Sequence, residues 1–402
     1  MTAVRPLFVQ SSIRRETSHL LTLLACLTLA VLGCGDSSTA TSAKPPAPST
    51  AGEFVVLATN NDEQGWSAPT DGVNILLPLI QYGAVPATVI TQMITSAGAL
   101  VGPSLTLGRN HDATTLPVAA FDGTNFLVVY QLAPTAVPGD LYGQLISRTG
   151  SLVAAAFPIT TSHDDPSVWS VTFGGGAYLV TYSRVIADFS TTWAKIVSPN
   201  GTVGNEILIN DRGAVSYAAF DGTRFLIPFV FRATEVRGVF ISPNGTLGQQ
   251  ITIKSSAGPS NRDLLVEFNG TNYLVAFGEN RAGTGWDVFA QAVAPSGTLV
   301  GAATPVTTAA GDQLVRGLVA SGGNFLLSWN ESADTSVTAT KARFISGSGA
   351  LLGTENTLFS LGPDYRSIGG AVTQVLGGKY FAVVNRKGAT WDVNAKFMTL
   401  SP

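Results

Sequence analysis

One motif recurs seven times along this chain of 402 residues and constrains its fold more than any other feature. In its clearest copy, Phe121–Tyr130 with the sequence "FDGTNFLVVY", a glycine in a tight turn precedes a run of apolar residues. Successive copies lie 47 to 55 residues apart, which is typical of a protein built from structural repeats. The glycines at the same place in the seven copies are Gly72, Gly123, Gly175, Gly222, Gly270, Gly322 and Gly377.

Each repeat contains four strand signals and no helical periodicity, which predicts one four-stranded antiparallel blade of a β-propeller. Turn sequences such as "DGT" and "SPNGT" join the strands and have the composition of short hairpins. The second strand is continuously apolar, so we expect neighbouring blades to cover both of its faces. The second repeat predicts strands at Leu116–Phe121, Phe126–Tyr130, Leu141–Ser147 and Phe157–Thr160, and later repeats predict similarly short fourth strands at Ile207–Asn210 and Ile251–Lys254.

The number of turns predicts how the ring closes. The first turn occurs seven times and the second only six, so the chain ends after the third strand of its last repeat. An additional strand signal, Glu53–Thr59, precedes the first repeat. We expect it to pair with Trp391–Leu400 and complete the seventh blade, because this pairing removes both exposed sheet edges. Residues 52–402 are therefore predicted to form one all-β domain, a closed seven-bladed β-propeller.

The first 51 residues have a different composition and predict export. Arg14 and Arg15 precede the apolar segment Leu20–Leu32, which at 13 residues is too short to cross a bilayer as a mature helix. We interpret residues 1–33 as a signal peptide. Residues 34–51 are rich in Ser, Thr, Pro and Ala, which predicts a disordered tether.

Two resemblances refine this interpretation. The tetrapeptide Val31-Leu32-Gly33-Cys34 resembles the lipobox of bacterial lipoproteins, which implies that Cys34 is acylated and becomes the first residue of the mature chain. The alternative is an ordinary secretory signal with a chance cysteine. By the same resemblance, Gly35 favours the outer membrane, so the expected location is the bacterial cell envelope, lipid-anchored and extracytoplasmic.

The repeats resemble those of exported bacterial β-propellers, whose units carry "DGTNYLVVW" followed by "DIYG". The second part is represented here by "DLYGQLISRTG" from Asp140 and "DVFAQAVAPSG" from Asp287. This resemblance implies the propeller fold for residues 53–402, but it implies no shared chemistry.

The loops that connect the fourth strand of one blade to the first strand of the next, here called the interblade loops, concentrate polar residues. In a propeller they gather around the axis, so they predict a ligand-binding rim for a cation or a sugar. Loop capping is the alternative explanation, because Asp and Asn bond the backbone of turns. For the two histidines, duplication of one loop is the alternative explanation. The candidate residues are Asp62, Arg109, His111, Asp112, His163, Asp164, Asp165, Asp211, Arg212, Arg262, Asp263, Asp312, Asp364 and Arg366.

The sequence gives little support for catalysis. It lacks the Gly-x-Ser-x-Gly motif, and lipidation of Cys34 would leave the mature chain without a thiol. No catalytic residue, cofactor or metal ligand is therefore predicted. The formal charge of −3 without a basic stripe does not suggest a nucleic-acid partner.

The expected function is binding of an envelope protein or polysaccharide by a membrane-tethered monomer. Two alternatives stay open. One is a glycan-cleaving hydrolase that uses a pair of rim carboxylates, and the other is an envelope assembly scaffold.

Overall fold

The computed structural model describes residues 52–83, 86–110, 115–133, 138–211, 213, 217–232, 234–255, 261–333, 336–360, 372–375, 378–387 and 390–402. These residues form seven antiparallel sheets of four strands each. No helix in these ranges is long and apolar enough to cross a membrane.

The strands follow the predicted order, with four per blade from the innermost strand outward. Blade 1 consists of β2 (Asp62–Gly65), β3 (Asn74–Tyr82), β4 (Ala87–Thr95) and β5 (Leu100–Asn110). Blade 2 consists of β6 (Val118–Phe121), β7 (Asn125–Leu132), β8 (Asp140–Ser147) and β9 (Phe157–Pro158). Blade 3 consists of β10 (Ser167–Gly174), β11 (Ala177–Ile186), β12 (Phe189–Val197) and β13 (Ile207–Asn210). Blade 4 consists of β14 (Ala219–Phe220), β15 (Phe225–Phe231), β16 (Glu235–Ile241) and β17 (Leu247–Ser255).

The remaining blades have the same order, except that the last one takes its outer strand from the start of the domain. Blade 5 consists of β18 (Asn261–Phe268), β19 (Tyr273–Arg281), β20 (Gly285–Val293) and β21 (Leu299–Thr307). Blade 6 consists of β22 (Asp312–Ser321), β23 (Asn324–Ala333), β24 (Ser336–Ile345) and β25 (Leu351–Ser360). Blade 7 consists of β26 (Val372–Val375), β27 (Lys379–Lys387), β28 (Trp391–Thr399) and β1 (Glu53–Leu57).

The repeated motif forms the turn and the buried strand that its sequence predicts. The Asp122 carboxylate accepts hydrogen bonds from the backbone N–H groups of Thr124 (2.7 Å) and Asn125 (2.6 Å). Gly123, in the same turn, has a φ of 96°, which favours glycine over residues with a side chain. The apolar segment Phe126–Tyr130 then lies in the core, where none of its residues is more than 1% exposed.

Seven hydrophobic clusters join the blades, one between each consecutive pair. In one of them, Phe381 and Val383 of blade 7 pack with Leu77 and Ile90 of blade 1. An open arc of seven blades would have only six such interfaces. The seventh confirms the closed ring.

The predicted closure is also confirmed by the pairing of β1 with β28. Glu53 lies opposite Lys396 and Phe54 lies opposite Ala395. The ring of Phe54 stacks on that of Phe397, with the centroids 5.9 Å apart. Arg386 Nη2 lies 2.7 Å from Glu53 Oε1, and the two side chains are 1% and 0% exposed. A buried ion pair therefore joins the two ends of the domain.

The prediction that fourth strands are short is wrong for several blades. It holds for β9 and β13, but β17 extends over Leu247–Ser255 instead of Ile251–Lys254. The extra pairing begins directly after the turn, where Ile241 lies opposite Leu247, and continues after a register shift. In blade 2, Pro158 has no N–H to donate to the ladder, which favours a short strand there.

Candidate functional site

Three aspartates bind the preceding blade from the place where an interblade loop ends and the next innermost strand begins. They occupy the same place, ten residues before the repeat glycine, and each accepts a hydrogen bond from a backbone N–H at the start of the preceding blade's third strand. The pairs are Asp62 with Trp391 (2.9 Å), Asp165 with Gly139 (3.4 Å) and Asp312 with Trp286 (3.0 Å). These carboxylates hold the loops in place, as the capping explanation expects.

His163 is also part of a capped turn. The buried carboxylate of Asp140 accepts hydrogen bonds from the backbone N–H of His163 (3.2 Å) and the hydroxyl of Thr160 (2.9 Å). Its second oxygen contacts His163 Nδ1, while the imidazole is 75% exposed. His163 has a φ of 53°, a conformation that this carboxylate stabilises.

Asp164 belongs to an ionic network on blade 3. Arg184 Nη1 lies 3.0 Å from Asp164 Oδ2, and Arg184 Nη2 lies 2.9 Å from Glu206 Oε2. The guanidinium lies over the ring of Trp193, 4.0 Å from its centroid. Burial would raise the pKa of Glu206, but the Tyr182 hydroxyl and Arg184 outweigh it and hold the pKa below its usual value. The network connects an interblade loop to blade 3.

The other predicted rim residues do not form one group among the described residues. The predicted loop positions of Arg109 and Asp263 are wrong, because Arg109 lies in β5 and Asp263 in β18. Arg109 and Asp211 are exposed, and Asp263 is half-buried. In β18, the backbone of Arg262 lies opposite Gly278 of β19. Five predicted rim residues lie outside the described residues: His111, Asp112, Arg212, Asp364 and Arg366. The predicted lipidation site, Cys34, also lies outside them.

A cavity of about 200 Å³ lies on the propeller axis and is here called the axial channel. Residues in or next to the innermost strand of every blade line it. Its aromatic and ionisable lining residues are Trp66, Trp169, Tyr217, Glu267 and Arg316. None of these five is among the site residues predicted from the sequence.

Breaks in strand register place two of these side chains in the channel. In β10, Val168 lies opposite Tyr182 and Ser170 opposite Thr181, so Trp169 is an extra residue. In β22, Arg316 is extra in the same way, between Val315 and Gly317. Such bulges redirect a side chain and are frequent next to functional sites. Trp169, Arg316 and Trp66 all lie six residues before their repeat glycine.

Contacts across the channel connect different blades. The indole N–H of Trp66 lies near the hydroxyl of Tyr217. The guanidinium carbon of Arg316 lies 5.5 Å from the centroid of the Trp66 ring. Burial raises the pKa of Tyr217 to about 12, while Trp66 and Arg316 act against the increase and Asp263 adds to it. The indole of Trp169 donates separately to Ser183 Oγ at 2.7 Å.

Glu267 differs electrostatically from the rim aspartates. Burial raises the pKa of its carboxyl to about 7, although a hydrogen bond from the Phe268 N–H opposes the increase. Within the described part of the chain, no ion pair joins this carboxyl to a lysine or arginine. The side chain is half-buried, and it lines the cavity. Glu267 can therefore exchange a proton near neutral pH at a position where a ligand has space.

A departure from the repeat could have identified Glu267 in the sequence. The six other copies have Pro69, Ala120, Thr172, Ala219, Val319 and Gln374 at this position, three residues before the repeat glycine. Burying a carboxyl in an otherwise apolar strand lowers the stability of the fold. Its presence there therefore indicates a functional role.

Comparison with known proteins supports the fold. No family profile matches the chain, and no curated protein matches its sequence. The structure is similar to the β-propeller domain of the trilobed protease from Pyrococcus furiosus, which has an open velcro topology (9% identity, 85% of this chain and 98% of that chain covered, TM-score 0.53). It is also similar to the polysaccharide lyase Uly1 (10% identity, 84% and 90% covered, TM-score 0.51).

A third similar structure comes from a study of two prolyl endopeptidases (16% identity, 85% of this chain covered, TM-score 0.51). The chain spans about half the length of that protein, with 48% covered. At these identities the likeness concerns the fold alone. The molecule is therefore a seven-bladed β-propeller, and it differs from the open domain above in that β1 pairs with β28.

Proposed function

We propose that this protein is a lipid-anchored, extracytoplasmic binding propeller that recognises a polysaccharide of the bacterial envelope through its axial channel and the surrounding loops. The observation that carries this proposal is the convergence of Trp66, Trp169 and Tyr217 on one cavity with Arg316 and Glu267. Aromatic faces with a few fixed polar groups are the usual composition of a small-molecule site.

The interblade loops support this function as a framework. Because Asp62, Asp165 and Asp312 accept backbone hydrogen bonds, they stabilise the loops in defined positions around the axis. A ring of fixed loops presents a rigid surface, which reduces the entropy lost when a ligand binds.

The proposed location in the cell envelope depends on the first 51 residues. Acylation of Cys34 would attach the protein to a membrane. By the resemblance to bacterial lipoproteins, Gly35 favours the outer membrane. A tether of residues 34–51 would hold the propeller roughly 20–25 Å from the bilayer surface, as expected for a flexible chain of this length. At this distance a monomeric propeller reaches glycans of the envelope.

Polysaccharide is favoured over protein as the ligand because the aromatic residues lie in a cavity instead of on an exposed surface. The similarity of the fold to that of a polysaccharide lyase is consistent with this choice.

Glycan cleavage is the second candidate function, and Glu267 favours it. A carboxyl with a pKa of about 7 is suited to proton transfer near neutral pH. Hydrolysis by the usual mechanism also needs a second carboxyl across the scissile bond. Asp165 and Asp312 already bind the backbone, so binding without cleavage is the better-supported function.

A binding screen tests the proposal. The full-length lipidated protein, purified in detergent, would be screened against envelope polysaccharides and envelope proteins by interferometry. We expect saturable binding of a polysaccharide that Trp169→Ala weakens about fivefold or more, taking for the sugar the stacking contribution of a nucleic-acid base on an aromatic ring, on the order of 1–3 kcal/mol. Trp193→Ala is the matched control, because Trp193 packs on Arg184 and does not line the channel.

Three results would count against it. Binding of proteins alone, or equal effects of the two substitutions, would contradict the proposal. New reducing ends or unsaturated products released from a bound polysaccharide would favour the second candidate.

A further inference from the structure

The axial channel has the size for one sugar ring. Its volume is about 200 Å³. Sites for drug-sized ligands are usually larger, about 300–1,000 Å³. A volume of this size suits the terminal residue of a polysaccharide better than several of its sugar rings.

The two indoles in the channel each have a polar group beside the N–H. The N–H of Trp169 donates to Ser183 Oγ, and the N–H of Trp66 lies near the Tyr217 hydroxyl. Neither indole then needs a hydrogen bond from a ligand, so stacking on the ring faces is the interaction that remains for a bound molecule. The C–H faces of a pyranose ring meet this requirement.

The charge of the lining favours an anionic ligand. Arg316 is the only cationic residue of the described lining, and its planar guanidinium matches a carboxylate. Glu267 is largely protonated below about pH 7 and can then donate a hydrogen bond. Tyr217, with its raised pKa, stays neutral at these pH values. Asp263, four residues before Glu267 on β18, does not line the cavity.

We propose that the axial channel binds a single acidic sugar, the terminal uronate of a polysaccharide, with Arg316 at its carboxylate and with Trp66 and Trp169 against its ring. This inference rests on the proposed function and specifies the part of the ligand that enters the channel. The register breaks at Trp169 and Arg316 supply two of the three groups.

Titration with free monosaccharides tests this assignment. The full-length protein in detergent would be titrated at pH 6 with glucuronate and galacturonate, and with glucose and galactose as neutral counterparts, by calorimetry and tryptophan fluorescence. We expect at least one uronate to bind at least tenfold more tightly than its neutral counterpart. Arg316→Gln should remove this preference, whereas Arg237→Gln, whose arginine pairs with Glu235 outside the channel, should preserve it.

The pH dependence provides a second readout. An anionic ligand binds less well once Glu267 loses its proton, so uronate affinity should fall as the pH rises from 6 to 8. Glu267→Gln should remove this dependence, because its amide does not titrate in this range. Thermal melts of each variant would show that it is folded.

The outcomes separate the inference from the proposed function. The inference is overturned if uronate and neutral sugar bind equally, if Arg316→Gln leaves uronate affinity unchanged, or if a bound polysaccharide is not displaced by any uronate. In each of these cases polysaccharide binding by the whole protein would still support the proposed function. If uronate binds as expected and no polysaccharide does, the channel assignment stands and the proposed function fails.

Discussion

Carboxyl groups occur both in the interblade loops and on the wall of the axial channel, but their surroundings differ. Asp62 and Asp312 each accept a backbone N–H of the preceding blade, at 2.9 and 3.0 Å. Glu267 has no cation beside it in the described part of the chain, and burial raises its pKa to about 7. The loop carboxylates therefore contribute to the stability of the ring, whereas Glu267 lowers it once the carboxyl ionises. Residue type alone does not distinguish the two, but the partner of each carboxyl does.

The largest effect is expected when a paired carboxylate is made to resemble Glu267. Arg386→Met would leave Glu53 buried without the cation that now lies 2.7 Å away. Removing one member of a buried ion pair typically costs about 3–5 kcal/mol. Urea unfolding at pH 7 would measure the loss. The double variant with Glu53→Gln should recover part of it, and equal losses in the single and double variants would contradict the pairing.

Glu267→Gln should have the opposite effect and raise the free energy of unfolding at neutral pH and above. The folded-state pKa of about 7 lies above the ordinary value of 4.5, so the contribution of this carboxyl is fully present below pH 4.5 and is lost as the pH rises through 7. At pH 8 the variant should exceed the wild type in unfolding free energy by on the order of 2–3 kcal/mol, allowing for water in the cavity. At pH 4 the variant and the wild type should have the same unfolding free energy. Unfolding curves at both pH values would check this.

Glu206→Gln is the matched control for that experiment. The pKa of Glu206 is lowered, because the Tyr182 hydroxyl and Arg184 outweigh burial. Its contribution is therefore present above pH 4.5 and is lost only at lower pH. A gain in stability at pH 8 from this variant would mean that the two environments do not differ as described.

Asp312→Ala should cost about 1–3 kcal/mol, because the N–H of Trp286 loses its acceptor. Asp312→Asn should cost less, since the amide oxygen can still accept. Neither variant should change ligand affinity by more than a few-fold. A large loss of binding without a loss of stability would assign Asp312 to the ligand site instead of the framework.

The smallest effect is expected from Trp66→Phe. This change removes the indole N–H that lies near the Tyr217 hydroxyl, so it should lower stability by no more than about 0.5–1.5 kcal/mol. The ring face remains, and sugar binding should persist. A loss of binding as large as that from Trp66→Ala would show that the N–H, and not the face, contacts the ligand.

The fold could be predicted because it depends on features that every repeat shares. The turn glycines fix the number of blades, and the missing second turn places Glu53–Thr59 beside Trp391–Leu400, as the pairing of β1 with β28 confirms. The length of the fourth strands could not be predicted. It depends on register shifts after the second turn, as in β17, and these leave no mark on the repeat.

The channel could not be predicted, because it depends on departures from the repeat. Trp169 and Arg316 enter it through bulges at the same place in blades 3 and 6, and the repeated motif does not mark these breaks in register. Glu267 occurs at its position in only one copy. The predicted rim residues include aspartates such as Asp312 that bind backbone N–H groups, since an aspartate that holds a turn and one that binds a ligand look alike in a sequence.

The difference between the two regions can be measured directly by a carbon NMR titration of the Glu267 carboxyl, assigned by comparison with Glu267→Gln. A midpoint near pH 7 is the predicted result, and it would show a carboxyl in the channel that stays protonated close to neutral pH. A midpoint at the ordinary value of 4.5 would contradict the account, because the channel carboxyl would then be as well solvated as one on the surface.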